Sequence, residues 1–426
     1  MKKILFRMLA LGALLAAPAA ASAAAVANST TSANLTATAW SPPPEQVVLM
    51  PADQIEAFRA YAEGARKDAG APGLALAIVQ PGKVLLLDGW GVREAGTTAP
   101  VTPDTRFALG PATQALNSLL VARLADEGKL DLDAPARRCW SDFRLTDPDA
   151  TKVVSLRNLL EMTAGVPDYV DQRVRPPHDA PADLFATLAQ LPILAQPGEE
   201  FHYSGASASA AGYLAAMKVA NLRDADSSLP VVYADLAQTE LFAPLGMKRA
   251  SFAPVAGDDT ADEAVGHLPG PGGVWVPVPP APGDAALLPA EGLYASARDV
   301  AAWLQLELTG GVAPDGTRLL SQNSVRLRWK PESSRDARQY GMGWERTYYR
   351  GLELVARRVE QNHQAALLVI VPQYRTAAVA LVNISGKDAN DLLQDVMLNL
   401  ADWLRETALL DSRAQAPAAS GTGTKE

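Results

Sequence analysis

Apolar positions along the chain follow two different periods. Ile55, Phe58, Ala62 and Ala65 recur at helical spacing through residues 52–67, which predicts an amphipathic helix. Leu-Ala-Leu-Ala-Ile-Val at 74–79 and Val-Leu-Leu-Leu at 84–87 flank Pro81-Gly82, so a tight hairpin is expected there. A second hairpin is predicted at 366–371 and 376–382, far along the chain. Residues 388–405 then place Leu392, Leu393, Val396, Leu400 and Trp403 on one helical face. Strands near both ends with a helix-rich middle predict an α/β (α+β) fold. One antiparallel sheet is built from both ends and flanked by helices, with a mostly helical lobe at roughly 105–290 inserted between them. The domain is expected to span 46–408, with 409–426 a disordered tail.

Composition refines this outline. Residues 24–45 are Ala, Thr, Ser and Pro without helical period and read as a flexible leader. Residues 269–289, dense in Pro and Gly around Val274-Trp275-Val276, read as a long surface loop, a decorated connection or a ligand-covering lid. Ahead of the leader, Lys2, Lys3 and Arg7 precede an apolar run at 8–17 and Ala21-Ser22-Ala23. That order is expected of a secretory signal peptide (1–23) cleaved near Ala23, which would send the chain to the periplasm. The run is too short to cross a membrane and no comparable one follows, so no transmembrane anchor is expected. Removing 1–23 takes away three positive charges and no acidic residue, moving the formal charge from −9 to −12. A chain this acidic offers no basic stripe for nucleic acid. Cys139 is the sole cysteine, so stability has to come from packing. His178, His202, His267 and His363 show no ligand spacing, and no Gly-rich phosphate loop follows a strand, so neither metal nor cofactor is expected.

The chemistry-bearing stretch is Phe-Ala-Leu-Gly-Pro-Ala-Thr-Gln-Ala at 107–115, followed by Ala-Asp-Glu-Gly-Lys-Leu-Asp-Leu-Asp at 125–133. It resembles the serine β-lactamase/DD-peptidase-like superfamily, whose members read Phe-x-Ile-Gly-Ser-x-Thr-Lys and then Glu-Glu-Gly-Lys-Leu-x-Leu-Asp. Further runs at 159–169, 241–248, 290–300 and 340–344 resemble the same family in the same order. The resemblance implies the fold of that superfamily and an acyl-enzyme mechanism, but its alignment puts Pro111 in the serine position and Gln114 in the lysine position. Proline has no hydroxyl, and an amide accepts no proton near neutral pH. In a serine protease, loss of the nucleophile alone costs on the order of a million-fold in turnover. Proline also suits a first helical turn, so the change keeps the helix start.

The other motifs are partly kept or lost. Pro-Gly-Glu-Glu-Phe-His-Tyr-Ser-Gly at 197–205 resembles the family's second motif, with Tyr203 retained and Gly205 where asparagine is usual. Tyr203 is either a hydrogen-bonding group in a pocket or an aromatic packed on the following helix. The third motif, Lys-Thr-Gly or His-x-Gly, is not recognisable in 354–364, where Arg357 and Arg358 are read either as a cleft-facing cation pair for a carboxylate or as solvated surface. Thr113, Ser118, Ser204 and Ser207 lie within or near the frame as candidate displaced nucleophiles, but neither Thr113 nor Ser118 has a lysine three residues on. The expectation is an inactive, exported homologue with Tyr203, Gln114, Arg357 and Arg358 as ligand-binding candidates. Its partner would be a peptide- or ester-like small ligand or a cell-envelope component. The alternatives are an active hydrolase with a displaced nucleophile and an interaction protein with a filled cleft.

Overall fold

A computed structural model describes residues 48, 50–168, 180–252, 262–281, 283–330 and 339–414. The expected signal peptide, the leader and residues 415–426 lie outside the described residues. All the described residues belong to one compact unit.

Six strands form the main antiparallel sheet. Strand β1 (Gly73–Gln80) and β2 (Lys83–Gly91) make the first hairpin. Two small pairs lie outside the sheet: β3 (Arg106–Ala108) with β6 (Tyr294–Ser296), and β4 (Gly266–Pro269) with β5 (Trp275–Val278). Then β7 (Glu345–Tyr349), β8 (Leu352–Gln361), β9 (Gln364–Val371) and β10 (Thr376–Val382) complete the sheet in the order β2-β1-β10-β9-β8-β7. The two ends of the chain meet where β1 pairs β10, with Leu76 opposite Ala380. Strands β1, β9 and β10 are buried at every position, so they read as continuous apolar runs rather than as alternation.

Helices cover both faces of this sheet. On one face, α1 (Ala52–Asp68) packs on the C-terminal helix Lys387–Ala414, with Phe58 edge-on to Trp403 at 5.3 Å between centroids. Against the other lie the helix Ala297–Leu308 and the helix-rich middle of the chain. The C-terminal helix runs past the predicted end at 405 and through 409–414 of the expected disordered tail, because Glu406, Ala408, Leu409 and Leu410 are sound helix formers. The stretch expected as a long loop at 269–289 instead contains β5 and the last residue of β4, which meet across a Gly-rich tip.

Two strands of the main sheet escaped the sequence reading. Strands β7 and β8 carry Glu345, Arg346, Glu353, Arg357, Arg358 and Glu360, which break an apolar pattern. Arg346 and Glu353, both buried, pair across the hairpin at 2.7 Å. Its turn uses Arg350 and Gly351 at φ 49° and 82°, the positive pair a two-residue hairpin requires.

A buried ion pair fixes the helical side. Glu307 and Arg328 are both fully buried and meet through two contacts, at 2.9 and 3.1 Å. Trp303 and Trp329 donate their indole N–H groups to the same carboxylate at 2.9 and 3.2 Å. The remaining guanidinium donors reach the Ala115 carbonyl and Ser118 Oγ at 2.8 and 2.9 Å. The first turns of α2 (Thr113–Asp126) are thereby held to the helices Ala297–Leu308 and Gln322–Trp329.

A second junction depends on a neutral histidine. His267 is fully buried; its Nε2 accepts the Ala95 N–H at 2.9 Å and its Nδ1 donates to the Asn383 carbonyl at 2.8 Å. Burial holds its pKa below the ordinary histidine value. The unfolded chain therefore binds the proton more readily than the folded one. Stability conferred by the neutral ring is complete above about pH 6.5 and is lost as the pH falls below it. Urea unfolding at pH 7.5 and 5.5 is expected to show a larger acid loss for the natural chain than for His267→Gln. Equal losses would mean that this ring carries none of the pH dependence.

Candidate functional site

The site begins where β3 ends. After Ala108 the chain makes one tight turn at Gly110–Ala112 and enters α2. Gly110 sits at φ +42°, and a Cβ there would stand 2.4 Å from Gln361 Oε1 and 2.8 Å from Gln361 Cβ, so glycine lets the end of β8 close on the turn. Pro111 is in this turn. It supplies neither a hydroxyl nor an amide proton, so this position offers neither a nucleophilic oxygen nor a main-chain donor.

Gln114, one turn further on, is 1% exposed. Its Nε2 donates to Tyr203 Oη at 2.7 Å, while its Oε1 accepts from Tyr340 Oη at 3.0 Å and from Arg357 at 2.9 Å. Arg357 is 3% exposed, on the same face of β8 as the core residues Val355 and Val359. Its Nε–H points at the Pro111 carbonyl at 3.3 Å, and its terminal nitrogens also reach Glu345 and Tyr203 Oη, each at 3.4 Å. The guanidinium carbon lies 5.9 and 5.7 Å from the ring centres of Tyr203 and Tyr340. Burial disfavours this cation, but Tyr340, Tyr203 and Glu345 outweigh it and hold its pKa above the ordinary arginine value.

Tyr203 itself is half-buried, and burial pushes its pKa up against the opposing pull of Arg357 and Gln114. It is a neutral phenol at physiological pH, suited to hydrogen bonding and not to taking a proton. Two donors converge on its oxygen, and its own proton finds no acceptor among the described residues. Its ring also packs against the small cluster of Met162, Ala208, Ala290 and Tyr340. The packing role and the hydrogen-bonding role thus occur together. Where the family carries asparagine, a Cβ on Gly205 would meet Glu291 Oε1 at 3.5 Å, so the Glu291 carboxylate lies over the place of the missing side chain.

The other arginine turns away. Arg358 points to the opposite face of β8 and pairs with Glu360 at 2.8 Å, so the expected cation pair is one buried cation and one rim residue. The hydroxyls considered as displaced nucleophiles have structural duties. Thr113 Oγ1 donates to the Gly110 carbonyl at 2.5 Å and accepts the Leu293 N–H at 3.0 Å. Ser118 donates to the Ala115 and Met342 carbonyls, both at 2.8 Å. Ser204 caps the helix Gly205–Ala220 by accepting the Ser207 N–H. Ser207 Oγ is buried with no hydrogen-bond partner among the described residues, so no base engages it. Tyr340, Glu345 and Glu291 were not read from the sequence as site residues, although Tyr340 opens one of the family-like runs and Glu291 lies in another.

The sequence profile of the beta-lactamase family matches residues 58–401. The chain belongs to the beta-lactamase family. Among its relatives is penicillin-binding protein 4 of Amycolatopsis lactamdurans, 26% identical over 343 residues that cover 78% of this chain and 86% of that one. Protein flp of Staphylococcus aureus (strain N315) is 22% identical, over 78% of this chain but only 64% of its own length. Among solved structures, the octameric penicillin-binding protein homologue from Pyrococcus abyssi superposes with a TM-score of 0.66 at 22% identity, covering 83% of this chain and 78% of that one. SurE does so with a TM-score of 0.66 at 22% identity, covering 83% and 76%. These likenesses fix the fold; at such identities they assign no substrate.

A lysine at 114 would meet the Arg357 guanidinium about where Gln114 Oε1 now accepts from it. Two positive charges about 3 Å apart repel by about 5–6 kcal/mol at an effective dielectric near 20. Gln114→Lys is therefore expected to destabilise the chain by about 3–5 kcal/mol. In an Arg357→Met background the same change should cost at least 2 kcal/mol less, by roughly the coupling typical of contacting groups. A urea double-mutant cycle measures this, and additive costs would show that the two positions are independent.

Proposed function

We propose that this chain is a catalytically silent member of its family, exported to the periplasm, whose closed cleft leaves it an interaction protein of the cell envelope. The observation that carries this reading is the Arg357 guanidinium, hydrogen-bonded to Gln114 and to the Pro111 carbonyl at the two positions where the family's reaction would need its base and nucleophile. With no hydroxyl at 111 and an amide at 114, an acyl-enzyme has neither its attacking atom nor its proton acceptor. The bonded state of Thr113, Ser118 and Ser204 argues against a displaced nucleophile. Export is supported by the Lys2, Lys3 and Arg7 charges, the apolar run at 8–17 and Ala21-Ser22-Ala23. Among the described residues, no helix is long and apolar enough to cross a membrane.

One observation favours a second reading, in which the cleft still takes a small peptide- or ester-like ligand. The unaccepted Tyr203 proton is a donor that a carbonyl oxygen would satisfy. Both readings exclude covalent turnover through position 111.

The test is to incubate the mature protein with a fluorescent penicillin and with a fluorophosphonate, then weigh it intact. No adduct is expected from either probe. A stoichiometric adduct would overturn the proposal, and peptide mapping would name the nucleophile.

A further inference from the structure

We infer that Arg357 is a built-in ligand: an intramolecular tether whose guanidinium fills a planar-cation site between the sheet and the helical side of the cleft. The inference rests on the proposed reading that the cleft is closed rather than catalytic, and it adds what closes it and what chemistry the closed space selects.

The acceptors around the guanidinium come from separate segments. The Pro111 carbonyl and Gln114 Oε1 belong to the turn and first residues of α2, Tyr203 Oη to the segment before the helix Gly205–Ala220, and Glu345 to β7. Arg357 alone contributes from β8, so one side chain joins the sheet to two parts of the helical side. The rings of Tyr203 and Tyr340 add two aromatic faces at 5.9 and 5.7 Å, and Phe201 backs Tyr340 at 5.3 Å. Directional acceptors for several N–H groups plus flat aromatic faces match a planar, delocalised cation. A compact ammonium has three N–H groups and no plane to stack, so it would satisfy this set less well.

Deleting the side chain beyond Cβ leaves the Pro111 carbonyl and Glu345 Oε1 without this donor, around a space of guanidinium shape. A free guanidinium ion can then do what the tether did. The natural chain is already occupied by its own arginine and has no such vacancy to offer.

The experiment compares the natural chain with Arg357→Ala and Arg357→Met, titrating methylguanidinium to 10 mM against sodium chloride and methylammonium. Arg357→Ala is expected to melt lower than the natural chain and to regain about 2 °C at about ten times the dissociation constant. The natural chain and Arg357→Met, whose side chain keeps the space filled, should show no rise. Adding Glu345→Gln to Arg357→Ala should weaken methylguanidinium binding several-fold. If Arg357→Ala does not fold unaided, its refolding yield with and without methylguanidinium becomes the readout. Recovery specific to methylguanidinium supports the inference. Equal behaviour in methylguanidinium and in sodium chloride, by melting or by refolding yield, overturns it, as does an equal rise in the natural chain. Failure here leaves the penicillin result intact, whereas acylation of the natural chain would remove the premise itself.

Discussion

A buried guanidinium carries donors that cannot go unmet, and that single requirement organises the centre of this molecule. Arg357 points into the core side of the sheet between Val355 and Val359, where water is not available to it. Its neighbours are therefore acceptors: a carbonyl at 111, an amide oxygen at 114, a phenol at 203 and a carboxylate at 345. A charged lysine at 114 would be repelled by that guanidinium. The neutral amide at 114 and the buried arginine are matched to one another.

The surrounding frame persists for a different reason. Around α2, the Arg328–Glu307 pair, the two indoles, Ser118 and the Ala115 carbonyl satisfy one another completely, and removing one partner from such a set strands a buried charge. None of these groups needs a reaction to justify it. Packing holds the turn at Pro111 and the helix behind it in place whether or not chemistry happens there. Proline suits the start of a helix, so Pro111 sits in this turn without disturbing what lies beneath.

How much of this was legible follows from where each residue reports. The hairpins at each end, the first and last helices and the meeting of both chain ends in one sheet were visible, because long apolar runs and 3.6-residue spacing survive any tertiary context. Strands β7 and β8 were not, because their charges pair with each other inside the fold and so look like surface. The prolines at 269, 271 and 277 disguised β4 and β5, a short pair in which few main-chain donors are needed. At the site, the residue types at 111 and 114 could be read directly. The direction of Arg357 could have been read too, had β8 been recognised: residues 355, 357 and 359 share a face, and two of them are valine. That Glu291 stands over Gly205 could not, because the two are far apart in sequence and no pattern links a gap to what fills it.

An active site works because some of its donors are held ready for charge that appears only in the transition state. Such groups are costly while they wait, and they persist only where turnover selects for them. Here most of the polar groups are already engaged: the amide at 114 three times, the arginine by four partners, and Thr113, Ser118 and Ser204 by local carbonyls and caps. A centre satisfied in this way keeps few unmet donors for a tetrahedral intermediate, so a hydroxyl placed at 111 alone would find little to stabilise what it makes. Apart from the buried Ser207 hydroxyl, the proton of Tyr203 is the exception among the groups traced here. It is where a non-covalent role, if the cleft retains one, would have to begin.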